Sequence, residues 1–117
     1  MNIIEFIIKN INNQTCIFNQ EVARLLQPFI MDGNLDFPIM NAETIYRNIS
    51  YNRPHPRIKL IRMRGILRSL VSATNITTNE CAVSRATDML LGAATVQQRT
   101  VLKTLANEVN EIIKSYQ

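Results

Sequence analysis

Seven of the thirteen basic residues in this 117-residue chain fall between Thr44 and Asn79, a stretch with no acidic residue. They are Arg47, Arg53, Arg57, Lys59, Arg62, Arg64 and Arg68. The other six basic residues face nine acidic ones, so a formal net charge of +4 divides into +7 for the segment and −3 for the remainder. Six of the seven are arginine, whose planar guanidinium takes a phosphate bidentately and stacks on flat rings, where lysine acts as a point charge. Tyr46, Tyr51 and His55 are interleaved with them and offer faces for unpaired bases.

This is the chemistry of a surface that meets a polyanion, and nucleic acid, DNA or RNA, is the commonest intracellular one. The candidate contacts are Arg47, Tyr51, Arg53, His55, Arg57, Lys59, Arg62, Arg64 and Arg68. Arg53, Arg57, Arg64 and Arg68 are the leading phosphate ligands and Tyr51 the stacking residue. About six phosphate contacts predict steep salt dependence and modest sequence preference. The competing reading is internal: the arginines lie over the core and pair with acids elsewhere in the fold. An acidic protein partner would meet the same charges.

Other chemistries find no constellation. One histidine, two distant cysteines and singly scattered carboxylates do not supply the three or four ligands of a metal site. Cys81 falls in the first turn of a predicted helix, a setting in which a cysteine nucleophile is weighed. Its sole imidazole partner, His55, sits between Pro54 and Pro56 with nothing to orient it. Gly33, Gly65 and Gly92 are the only glycines, too few and too far apart for a phosphate loop. A helix-turn-helix around Gly92 fails because Asp88 stands where a small apolar residue is needed. The expectation is a non-enzymatic protein with no cofactor and no metal.

The elements that must position the basic segment read as helices. Hydrophobic residues make up 46% and charged residues 19%, a globular composition, and the length suits one domain spanning 1–117. Ile3, Ile4, Ile7, Ile8 and Ile11, with Phe6, form an apolar stripe on a first helix ended by Asn12-Asn13. Asn19 is placed to cap a second, which buries Val22, Ala23, Leu25 and Leu26 and stops at Pro28. Asp32-Gly33-Asn34 is a turn, and Pro38 keeps the following residues extended. Asn41 caps a third helix through Ile45, Tyr46 and Ile49 to about Tyr51.

A fourth helix is expected from about Arg57 to Ala73, with Leu60, Met63, Leu67, Leu70 and Val71 inward. On its wheel Arg57, Arg64 and Arg68 share one line, while Lys59 and Arg62 lie across the apolar stripe. Its first residues, Arg57 to Leu60, alternate basic and apolar and also fit an edge strand. Thr77 with Glu80 reads as a capping box for a fifth helix lined by Ala82, Ala86 and Ala93 and weakened or ended by Gly92. Thr95 with Gln98 repeats the pattern for the last helix. The fold class is all-α, a compact bundle of about five to six helices.

Leu102, Leu105, Val109, Ile112 and Tyr116 on the last helix alternate spacings of three and four. Such a stripe is core first and a homodimer seam second. The alternative to nucleic-acid binding is a helical-bundle interaction module, an inhibitor or adaptor, that takes an acidic or amphipathic segment between the second and fourth helices. The opening run lacks the marks of a signal peptide and no stretch is long enough to span a bilayer, so an intracellular, non-membrane location is expected. There Cys16 and Cys81 would be buried free thiols, and the sequons at Asn13, Asn48 and Asn75 would carry no sugar. Heavy use of isoleucine and asparagine fits an AT-rich source of the viral or phage kind.

Overall fold

Local capping signals decide most of the helix starts. The computed structural model describes residues 2–12, 15–38, 40–51 and 59–116. α1 (Ile3–Asn10) begins where the Asn2 side chain accepts from the Glu5 amide at 2.8 Å. α3 (Ala42–Ser50) begins where Asn41 accepts from the Thr44 amide at 2.8 Å. α6 (Val96–Ser115) opens on a complete capping box. There the Gln98 amide donates to Thr95 Oγ1 at 3.1 Å, and Gln98 Oε1 accepts from the Thr95 amide at 2.9 Å.

Other starts lie elsewhere than the sequence suggests. α2 (Ile17–Leu26) starts at Cys16 rather than Asn19, which sits inside its first turn. α5 (Glu80–Ala93) is capped by Asn79, whose side chain accepts from the Cys81 and Ala82 amides, and not by Thr77. Thr77 is engaged elsewhere: its hydroxyl donates to Glu21 on α2 at 2.9 Å and accepts from the Asn79 amide at 3.1 Å. Gly92 does not end α5, which continues one residue to Ala93, and Ala93 is exposed where an inward position was expected.

The largest displacement is at α4 (Met63–Ser72), which begins six residues after Arg57. Asn110 of α6 holds the preceding residues extended: the Ile61 amide donates to Asn110 Oδ1 at 2.7 Å, and Asn110 Nδ2 donates to the Ile61 carbonyl at 2.9 Å. Both polar groups of Ile61 are thereby bonded to α6, in the manner of a strand pairing. Lys59 and Leu60 therefore lie outside the helix, Arg62 is its N-cap, and Leu60 is exposed instead of inward. Arg57 lies outside the described residues.

One short hairpin interrupts the helices. After α2 the chain makes a 3₁₀ turn at Gln27–Phe29, with Pro28 ending the α-helical ladder. β1 (Ile30–Met31) then pairs antiparallel with β2 (Asn34–Leu35), Ile30 opposite Leu35. Asp32 and Gly33 both have positive φ, 53° and 77°, the two-residue turn whose twist suits a hairpin and for which Asp-Gly is a preferred pair. Gln98 Nε2 ties the hairpin to α6 by donating to the Leu35 carbonyl at 2.8 Å.

The fold is all-α apart from that hairpin, with six α-helices among the described residues. α5 packs against both α2 and α4, and α6 against α3 and α4. Ala82 and Ala86, wholly buried, let the neighbours of α5 approach closely. Val22, Leu25, Leu26, Ile45, Ile66, Leu67, Val71, Leu90 and Val109 fill the single core. Trimming one of the larger of these to alanine typically costs about 2–5 kcal/mol, because the lining closes only partly over the void. The two buried polar side chains among the described residues bond back into their own helices: Asn10 donates to the Phe6 carbonyl and Thr87 to that of Val83.

α6 buries Leu102, Ala106, Val109 and Ile113, with Leu105 and Ile112 half-buried against the core and Tyr116 exposed. Most of the stripe thus lies against the chain's own core, the first of its two expected roles, with Tyr116 at its exposed end. α1 departs in the opposite sense: Ile3 and Ile7 are buried, but Ile4 and Ile8 are exposed. Among the described residues no helix is long and apolar enough to cross a membrane.

Candidate functional site

α3 and α4 converge on a groove of about 1030 Å³ that gathers part of the acid-free segment. Helical spacing sets its walls. Arg47 and Tyr51 stand one turn apart at the C-terminal end of α3, and Gly65, Arg68, Ser69 and Ser72 follow one face of α4. The extended residues Lys59, Leu60 and Ile61 cross between them, fixed by Asn110. Ala73, Asn75 and Glu80 close the far end. Gly65 is needed here, because a Cβ at that position would collide with the Ile61 side chain lying over it.

The groove carries three cations, Arg47, Lys59 and Arg68, and one carboxylate, Glu80, among its lining residues. Arg47 and Lys59 are exposed and form no ion pair among the described residues. Tyr51 is 83% exposed, its ring presented to solvent. Ile49, Leu60 and Ile61 add apolar lining beneath polar groups from Asn48, Ser69 and Asn75. Cations around a partly apolar trough with a free aromatic face suit a polyanion that carries flat rings.

Two of the expected phosphate ligands are engaged inside the chain. Arg64 Nε donates to Asp88 Oδ1 at 2.8 Å, and Arg68 donates to Glu80 and to the Ser84 hydroxyl. Glu80, Ser84 and Asp88 recur every four residues along α5, and Arg64 and Arg68 are four apart on α4. The two antiparallel helices therefore zip along one seam. The hydrogen bond from Arg64 holds the Asp88 carboxyl below its ordinary range, and the same bond raises the Arg64 guanidinium. Both side chains are about half exposed, at 44% and 55%, so water screens most of this interaction.

Arg62 is exposed but does not line the groove. Arg53, His55 and Arg57 lie outside the described residues. Tyr46, expected among the stacking residues, is buried and stacks instead on Tyr116, ring centroids 5.4 Å apart and nearly parallel. Burial raises its phenol pKa, with Tyr116 adding to the shift. The groove expected between the second and fourth helices is filled, since α5 packs between them.

Asn110, Gly65 and Glu80 were not among the site residues expected from sequence. Only the last left a usable signal, the four-residue spacing of Glu80, Ser84 and Asp88. Cys16 and Cys81 are free thiols, and both are exposed rather than buried, because each stands at a helix start on the outward side. Among the described residues no three His, Cys, Asp or Glu side chains come together as metal ligands would. In comparisons with known proteins the chain matches no family model, no curated protein and no solved structure.

Proposed function

We propose that the chain is a small, non-enzymatic nucleic-acid-binding protein that holds a sugar-phosphate backbone in the groove between α3 and α4. Arg47 and Lys59 neutralise phosphates, Arg68 adds the part of its charge that Glu80 leaves, and Tyr51 offers a face to an unpaired base. The observation that carries this reading is the convergence, on one groove drawn from the acid-free segment, of two cations with no ion pair among the described residues and an 83% exposed tyrosine. The expected arginine array is thereby narrowed: Arg64 serves the α4–α5 seam, and Arg68 is shared between that seam and the groove.

The test is binding to short labelled single- and double-stranded DNA and RNA across a salt series. Two phosphate contacts and a partial third on a single strand predict a log–log slope of about −1.4 to −2. A measurable affinity with that slope supports the reading. No binding to any of the four at about 50 mM salt overturns it and turns attention to an acidic peptide, which the same cations would attract.

A further inference from the structure

The apolar stripe of α1 is wider than the face that the core covers. Ile3 and Ile7 are buried in the core, whereas Ile4 and Ile8 are 37% and 68% exposed. At about 100° per residue, Ile4 and Ile8 form one row along the helix and Glu5 and Lys9 form a second row beside it. The apolar stripe of a surface helix is ordinarily covered across its width. Ile17, 73% exposed, and Phe18, 37% exposed, add apolar surface at the start of α2. That end of α2 lies near the end of α1, since the Thr15 hydroxyl donates to the Asn10 carbonyl.

The charges identify the cover. Glu5 and Lys9 form no ion pair among the described residues, and the Glu5 carboxylate accepts only a 3.3 Å bond from Asn2 Nδ2. Opposite charges four residues apart, beside an apolar pair with the same spacing, make a face complementary to its own reversed copy. A two-fold axis perpendicular to two antiparallel α1 helices sets Ile4 of one against Ile8 of the other. The same axis keeps the charged rows on one flank and brings each Glu5 to the Lys9 of the second copy.

We propose that the outward face of α1, formed by Ile4, Glu5, Ile8 and Lys9, is an isologous interface for a second copy of this chain. The interface is short, below the roughly 1,200–2,000 Å² of stable dimers, so the association is weak and reversible. It is independent of the groove, whose residues it does not use.

Sedimentation equilibrium of the whole chain from roughly 10 to 500 µM is expected to show a monomer–dimer equilibrium. Ile8→Glu abolishes the dimer while leaving the circular dichroism spectrum unchanged, because Ile8 is outside the core. Glu5→Lys and Lys9→Glu each weaken association about tenfold by setting like charges together. An equimolar mixture of the Glu5→Lys chain with the Lys9→Glu chain regains dimerisation, because each mutant flank then meets its opposite. A chain that stays monomeric throughout, a dimer indifferent to Ile8→Glu, or a mixture that shows no rescue would each overturn the proposal.

Discussion

The two sides of the basic segment are built from the same residue types and end in opposite conditions. On the α4–α5 seam, Arg64 and Arg68 reach acids spaced to receive them, and their charge is largely returned to the fold. On the α3 side of the groove, Arg47 and Lys59 face solvent with no carboxylate of their own among the described residues. Formal charge counted along a sequence is therefore not the charge a ligand meets. What decides is which helix becomes the neighbour. α5 brings Glu80 and Asp88 to α4, and no acid lines the groove on its α3 side.

The strongest test of this contrast is to replace the cations on each side. Arg47→Glu with Lys59→Glu should weaken nucleic-acid binding by about 100-fold at low salt, as measured by fluorescence anisotropy. Arg64→Ala should change binding less than about twofold and lower stability by about 0.5 kcal/mol or less, given its exposure. Equal losses in the two variants would erase the distinction between the sides.

Asn110→Ala acts on the link that creates the open side. It removes both hydrogen bonds to Ile61, and urea unfolding should show a loss of about 1–3 kcal/mol. Binding should weaken as well, because Lys59 is no longer held across the groove. An unchanged urea midpoint would mean that residues 59–61 are positioned by packing alone.

Glu80→Gln moves Arg68 from the closed side towards the open one. The neutral amide releases much of the guanidinium's charge to the groove, while Ser84 still accepts from it. Affinity for a short single strand should rise about threefold to tenfold at low salt, with the gain fading as salt increases. A fall in affinity would show that Glu80 positions Arg68 for its ligand rather than competing with it.

Acidification gives the smallest effect. Because Asp88 is held below the ordinary carboxylate range in the fold, the Arg64–Asp88 pair contributes its full stability above that range. The contribution is lost as pH falls through the lowered value. Asp88→Asn should therefore lower the melting temperature by a degree or so near neutrality and leave it unchanged in strong acid, which flattens the acid limb of a plot of melting temperature against pH. A variant whose acid limb matches the original would show that the pair adds nothing measurable.

Much of the fold was legible because its causes are local. Asn41 and the Thr95–Gln98 box cap the helices predicted for them, since the bonds close within three residues. Val22, Ala23, Leu25 and Leu26 are buried as their periodicity required. Legibility failed where two local choices were nearly equal. Thr77 and Asn79 were both able to cap α5, and the bond from Thr77 to Glu21 on α2 selects Asn79. In α6 the adjacent Ile112 and Ile113 left the stripe's angle open, and packing against α3 and α4 turned Ala106 and Ile113 inward.

The candidate site shows the same division. The sequence by itself determined the helical class, most helix boundaries and the concentration of cations between Thr44 and Asn79, because propensity, capping and composition act over a few residues. Tertiary structure alone decided which cations remain available. Ile61 is pinned by a residue forty-nine positions away, Arg64 and Arg68 find acids twelve to twenty-four positions away, and Tyr46 is covered by Tyr116. Contacts at such separations depend on which faces pack together, and that is a property of the assembled core rather than of any short window of sequence.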